Sequence, residues 1–244
     1  MEIALLTDVG QKRSNNQDYV NRYTNRAGID LIVLADGMGG HRAGHIASEM
    51  TATDLGASWV DTQLDTLNDV RGWFVDVIEA ENQKIYELGQ TEEYNGMGTT
   101  LEAVVVIEQQ MIYAHIGDSR IGLVRNGEYS QLTSDHSLVG ALVRAGQITE
   151  EEARRHPQKN IITQSIGQHD PVEADIALKT LEIGDYIVIN SDGLTNMVSK
   201  EDIRDIMMSD VPLASKAETL IRFANNAGGT DNITVALLHV PEEG

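Results

Sequence analysis

An α+β fold is predicted, with an antiparallel β core carrying helices on its outside, and three observations predict it. Strand-like runs are joined by connections too short for a parallel crossover. Four segments carry apolar residues at helical spacing, in two pairs. No internal repeat, low-complexity tract or Pro- or Ser-rich linker divides the 244 residues, a length that suits one large domain or two small ones. The economical reading is one domain spanning residues 1–244.

Taken in order, residues 2–8 and 29–35 read as strands, the second running into Asp36-Gly37-Met38-Gly39-Gly40. Ala43, Ile46, Ala47 and Met50, then Val70, Trp73, Phe74 and Val77, recur at helical spacing and predict helices over 42–59 and 69–89. Trp59, Trp73 and Phe74 read as helix–sheet packing. Leu101–Ile107 and Met111–Ile116 are strands joined by Glu108-Gln109-Gln110. Arg120–Arg125 and Glu128–Leu132 flank Asn126-Gly127, the strongest short hairpin signal. Residues 137–165 differ: a short helical stretch, a capping box from Thr149 to Glu152, then basic Arg154-Arg155-His156-Pro157. They read as an inserted surface segment, or flap. Strands near 173–179 and 185–191, helices near 200–208 and 213–226, and a strand at Ile233–Val240 complete the chain.

Thirty-eight acidic against 18 basic residues give a formal charge of −20, which disfavours DNA, RNA and anionic membranes as partners. The longest apolar runs, such as Leu31 to Ala35, are far too short to span a bilayer. The N-terminal stretch has no basic region and does not read as a signal peptide. With no cysteine there is neither disulfide nor thiolate catalysis, which fits a cytoplasmic protein.

Five acids stand in turn-forming sequence at the ends of predicted strands: Asp18, Asp36, Asp118, Asp192 and Asp231. Any one of them alone is ordinary turn chemistry. Together they point to a cation, because like charges at converging strand ends repel unless something offsets them. Hard cations such as Mg²⁺ and Mn²⁺ prefer oxygen ligands, and neighbouring glycines let a carbonyl approach as well. The absence of cysteine and of a His-rich ligand set argues against structural zinc.

These residues also carry a resemblance. Arg13 with Asn16-Gln17-Asp18, Asp36-Gly37-Met38-Gly39-Gly40-His41, Gly98-Thr99-Thr100, Gly117-Asp118-Ser119-Arg120, Ser191-Asp192-Gly193-Leu194 and Thr230-Asp231-Asn232 occur in the order and approximate spacing of the PP2C-type metal-dependent serine/threonine phosphatases. The chain is most similar to their short, single-domain bacterial branch. The resemblance spans nearly the whole chain and implies a central antiparallel β-sandwich flanked by pairs of helices, in four layers. It implies catalysis by two Mn²⁺ or Mg²⁺ ions, with direct attack of a metal-bridged hydroxide on phosphoserine or phosphothreonine. The implied partners are phosphorylated proteins and a cognate bacterial serine/threonine kinase. A monomer is expected, with neither nucleic acid nor membrane bound.

By position in that pattern, Asp36 would be shared between the metals and the Gly37 carbonyl would bind one of them. Asp192 and Asp231 would bind the other, and Asp18 would stand beside it; here Gln17 precedes Asp18 where many eukaryotic relatives have Glu. Asp118, with Asp192, would hold a third, weaker metal. Arg13 is the phosphate clamp, since a guanidinium donates two parallel hydrogen bonds to phosphate. Many eukaryotic relatives place His after the Asp-Gly pair, whereas Met38 stands there in this chain. His41 is therefore the nearest general acid, or else a residue that only orients the loop. Arg154 and Arg155, with Arg144, His156 and Lys159, make the flap locally cationic and suited to docking phosphoprotein, or else they are the solvated face of a helical hairpin.

Other residues have weaker claims. Thr99 and Thr100 would position metal-ligand oxygens, Ser119 and Arg120 would brace the Asp118 turn, and His136 reads as structural. His115, among apolar strand neighbours, reads as a satisfied core histidine. A non-catalytic phosphoprotein-binding module on the same fold would be expected to have lost metal ligands, yet the aspartates are present. A nuclease is disfavoured by the charge and by the lack of a basic channel.

Overall fold

The structure is a computed structural model that describes residues 1–39 and 43–241. Among the described residues, eleven strands and seven helices follow one another as β1 (Glu2–Asp8), β2 (Asp18–Thr24), β3 (Asp30–Met38), α1 (Ala43–Val60), α2 (Leu67–Gly89), β4 (Gly98–Thr99), β5 (Leu101–Ile107), β6 (Gln110–Ile116), β7 (Arg120–Arg125), β8 (Glu128–Gln131), α3 (Leu138–Arg144), α4 (Glu150–Arg155), β9 (Asp175–Thr180), β10 (Tyr186–Asn190), α5 (Asp192–Thr195), α6 (Lys200–Met207), α7 (Leu213–Asn226) and β11 (Ile233–His239). Two sheets result, ordered β1-β11-β10-β7-β8 and β2-β3-β5-β6-β9, with β4 added beside β3. Every strand pair is antiparallel.

The period-two alternation of strand side chains makes the layers. On β3, Leu31 and Val33 face α1 and α2, where they meet Trp59, Phe74 and Ile78. Ile32 and Leu34, one residue over, face the other sheet and meet Ile121, Ile187, Ile189 and Leu238. On the far side, Val188, Val235 and Leu237 pack beneath Leu213, Leu220 and Ile221 of α7 and Ile203 of α6. Three apolar layers therefore separate four structural ones, helix on sheet on sheet on helix, as the four-layer expectation requires. Trp59 and Phe74 are fully buried and Trp73 sits between their rings, 5.0 and 5.3 Å away by centroid. They are packing residues.

Most predicted elements fall within one or two residues of the observed ones. At Asn126-Gly127 both residues take positive φ, +53° and +76°, as a type I′ hairpin requires. The capping box at Thr149 is complete, each partner bonding the other's backbone. Two differences bear on the site. Strand β2 is an addition, and β3 runs on through Asp36 and Gly37 to Met38, so Asp36 lies inside a strand and not after it.

Candidate active site

Asp18 opens β2 and stands directly opposite Asp36 on β3. Like charges in that position destabilise a sheet. Asp18 is 5% exposed; its Oδ2 accepts a 2.7 Å hydrogen bond from Ser191 Oγ, while its Oδ1 has no partner. Ser191 in turn accepts from the Thr234 amide at 3.0 Å and immediately precedes Asp192, so one hydroxyl links β2, β11 and the N-terminus of α5. Asp118 lies in the turn between β6 and β7, and Asp231 just before β11. The two sheets thus deliver all five aspartates to one end of the sandwich.

Their electrostatics show the crowding. Burial, then the charges of Asp192 and Asp231, raise Asp18 to about 6 despite its hydrogen bonds. Asp36 is pushed well above the usual carboxylate range by burial and then by Asp18, Asp192, Asp118 and Asp231. Burial and Asp192 raise Asp118 to about 8, and burial and Asp231 raise Asp192 to about 6. Carboxylates that each make the next harder to ionise form a site short of positive charge. The unpartnered Oδ1 of Asp18 adds an oxygen ready to ligate. This donor set, all oxygen, fits divalent Mg²⁺ or Mn²⁺.

The backbone around the aspartates is held closely. A Cβ on Gly37 would lie 2.1 Å from the carbonyl of Gly44, so only glycine lets α1 start against the strand that carries Asp36. A Cβ on Gly193 would lie 1.9 Å from the Asn232 carbonyl, which seats α5 against the approach to β11. Asn232 itself joins three segments: its amide donates to the carbonyls of Val9 and Asn15, and its Oδ1 accepts from the Gln17 amide. The Asp36 amide donates to Thr100 Oγ1, which shares a 2.9 Å hydrogen bond with Ser119, so Thr100 and Ser119 orient the site from beneath. Arg13, half exposed, donates from Nη2 to Asp231 Oδ2 at 2.8 Å, which puts the guanidinium at the rim.

Beside the aspartates, a cavity of about 460 Å³ opens between the 137–165 segment and the sandwich, lined by Asp118 and Asp192 together with Arg144, Arg154, Lys159 and Lys200. Lys200 reaches Glu150 at 2.7 Å, which ties α4 to the start of α6. The two flap arginines separate here. Both are exposed, but Arg154 lines this cavity, whereas Arg155 pairs with Glu151 at 3.1 Å, one helical turn away. His41 lies outside the described residues.

Among the described residues, the only three His or carboxylate ligand atoms all within 4.8 Å of one another belong to His115, His136 and Asp175. Their protons are already assigned by their partners. His136 Nδ1 accepts from the Gly117 amide at 3.2 Å, so its proton is on Nε2, which donates to Asp175 at 3.2 Å. Ligation through Nε2 would leave that ring without a proton on either nitrogen. This cluster is a hydrogen-bonded network, and His115 is the satisfied core histidine expected, with Glu102 at 2.6 Å on Nδ1 and the Ser134 carbonyl at 3.1 Å on Nε2. Sequence reasoning missed Ser191 and Asn232 as loop fasteners, Lys200 as a cavity residue and Glu102 as a buried charge. Ser191 and Asn232 stand in the motifs beside Asp192 and Asp231, and Glu102 is a lone acid in the apolar run Leu101–Ile107; Lys200 has no such signal.

The family model for protein phosphatase 2C matches residues 9–236. The chain is 69% identical over 243 residues to the protein phosphatase PhpP of Streptococcus pneumoniae, covering 100% of this chain and 99% of that one. It is 40% identical over 240 residues to the serine/threonine phosphatase stp of Listeria monocytogenes, covering 98% and 95%. Among solved structures, that of the S. agalactiae serine/threonine phosphatase superposes with a TM-score of 0.96 at 62% identity, over 98% of this chain and 99% of that one. The Mycobacterium tuberculosis serine/threonine phosphatase PstP/Ppp gives 0.85 at 35% identity, over 99% of each chain.

Proposed function

As the chain belongs to the protein phosphatase 2C family, we propose that it is a metal-dependent phosphatase that removes phosphate from phosphoserine and phosphothreonine in proteins. The observation that carries this reading is the convergence of buried carboxylates whose pKa values rise through burial and mutual repulsion, with an arginine at their rim. The metal is Mn²⁺ or Mg²⁺, two ions per site with a third held more weakly. Asp36 and the Gly37 carbonyl, with Asp192, Asp231 and Asp18, would hold the pair; Asp118 and Asp192 would hold the third. When bound, two such cations draw a nucleophile from water at neutral pH and offset the charge of a phosphate dianion.

This chain's own residues do the rest. The Arg13 guanidinium turns from Asp231 to donate two parallel hydrogen bonds to phosphate oxygens, which fixes phosphorus in front of the site. Thr100 and Ser119 hold the Asp36 backbone still. His41, close in sequence to Asp36, supplies the proton for the leaving serine or threonine oxygen. No cysteine exists to form a thiophosphate intermediate, and transfer runs directly to water. The flanking peptide rests in the cavity beside the flap, against Arg154 and Lys159.

We read the chain as one domain acting as a monomer in the cytoplasm, on proteins phosphorylated by a cognate serine/threonine kinase. Phosphate release from a phosphothreonine peptide with and without Mn²⁺, beside Asp192→Ala, tests the mechanism. Release should require the metal and fall at least a hundredfold in the variant. Metal-independent release, or full activity in D192A, would overturn it.

A further inference from the structure

The turn that carries Asp118 is gripped from both sides by one short segment. Ahead of it, the Gly117 amide donates to His136 Nδ1 at 3.2 Å, and the Gly117 carbonyl accepts from the His136 amide at 2.7 Å. Behind it, Arg120 makes a bidentate pair with Asp135, its closest N–O distance 2.6 Å. The same segment, 134–137, is the root of the flap: the His136 carbonyl accepts from the Thr163 amide, and Ser137 bridges Ile162. Asp118 and the flap therefore share one mounting.

That mounting is fastened to the sandwich by a charge pair in its interior. Glu102 on β5 and His115 on β6 face each other in register, both 0% exposed. A carbonyl only accepts, so His115 Nε2 donates to Ser134, and the contact between Nδ1 and Glu102 holds one further proton. Burial disfavours charge on either partner and pushes the Glu102 carboxyl up, but the Glu102 carboxylate outweighs the burial of His115 and raises the imidazole above its usual range. Asp175 of β9 and Asp135 and His136 of the flap root surround the pair, with the two imidazole rings 4.6 Å apart. A buried ion pair seldom stabilises a fold more than apolar residues of the same volume. One oxygen of Glu102 is even left without a partner. Such a pair is better suited to orientation than to stability, and what it orients is the Ser134 carbonyl.

We propose that Glu102 and His115 are positioning residues, whose buried contact sets the 134–136 segment and through it both the Asp118 carboxylate and the flap root. This rests on the reading of Asp118 as a ligand of the weaker metal. Glu102→Gln keeps the contact, because the glutamine amide can donate to a neutral His115 Nδ1. Glu102→Leu leaves that nitrogen buried and unpaired.

The test is Mn²⁺ binding by titration calorimetry, beside the rate on a phosphothreonine peptide as a function of Mn²⁺ concentration, for the wild type, E102Q, E102L and Asp118→Asn. The half-saturating Mn²⁺ of the weaker phase should rise about tenfold in D118N and in E102L, and no further in the double variant. E102Q should stay within about twofold of wild type. A lowered Tm in E102L with an unmoved Mn²⁺ profile makes the pair purely structural and overturns the proposal. An unmoved profile in D118N removes the ligand reading and the proposal with it, whereas a shift in D118N alone removes only the proposal. Should E102L fail to fold, His136→Ala cuts the same linkage nearer the surface; it must reproduce the D118N shift, and an unmoved profile there overturns the proposal.

Discussion

Asp18→Asn should stabilise this protein when metal is removed and cease to do so when metal is present. Asp18 is 5% exposed, faces Asp36 across the sheet and has one oxygen without a partner. Burial, with Asp192 and Asp231 behind it, raises its pKa from 3.8 to about 6. Each tenfold change in proton affinity is about 1.4 kcal/mol, so the charged form carries a penalty of about 3 kcal/mol at neutral pH. Asparagine removes the charge, can keep the Ser191 hydrogen bond through its carbonyl and places an amide N–H toward the neighbouring carboxylates. Its own burial takes back part of the gain, leaving about 1–2 kcal/mol, or about 2–8 °C in Tm for a chain of this size. The native state holds the Asp18 proton more tightly than the unfolded chain does. Wild-type stability therefore falls as pH rises from about 4 to about 6, and the advantage of D18N should be absent at the lower pH and complete at the upper. Thermal melts in EDTA at pH 4 and 7.5, repeated with Mn²⁺, measure it; in Mn²⁺ the wild type gains binding energy that the variant partly forfeits. A D18N protein that melts below wild type in EDTA at pH 7.5, or a gap that ignores pH, would refute the repulsion on which the metal reading depends.

Two further outcomes follow from the site. Arg154→Ala should raise KM for a phosphoprotein several-fold while sparing a small aryl phosphate, and Arg155→Ala should change neither, because only Arg154 lines the cavity and Arg155 is spent on Glu151. His41→Ala should slow a phosphothreonine peptide at least tenfold more than an aryl phosphate, whose leaving group needs no proton; equal losses would remove His41 as the acid.

The aspartates were legible in the sequence because glycine or serine adjoins Asp36, Asp118 and Asp192, and asparagine stands near Asp18 and Asp231, a turn-forming pattern that survives without knowledge of the fold. Their pairing was not. Strand β2, Asp-Tyr-Val-Asn-Arg-Tyr-Thr, lies at a sheet edge with most of its residues half-buried, so its alternation is blurred and the Asp18–Asp36 contact stays hidden. The Glu102–His115 pair was hidden by one residue. A three-residue connection, Glu108 to Gln110, sets Glu102 opposite Ile116; the actual turn is two residues, with Glu108 at φ +55°, and sets it opposite His115. A slip of one residue exchanges the two faces of a strand, so a charge pair reads as a lone acid beside an isoleucine. Arg154 and Arg155 are adjacent and chemically alike, and only the direction each takes from α4 separates cavity from solvent.

The strand order of the first sheet sets a timetable for synthesis. Strand β11 lies between β1 and β10, and Glu2 pairs with His239, so β1, synthesised well before β11, waits for it before that sheet can close. The reactive end waits as well, since Arg13 and Asn15 are held by Asp231 and Asn232. Contacts so distant along the chain fold slowly and late. A nascent or truncated chain lacking β11 and the Asp231-Asn232 pair before it would leave the aspartate cluster unassembled, because Arg13, Asn15 and Ser191 would lose the partners that seat them. Activity is thereby withheld until translation has passed β11.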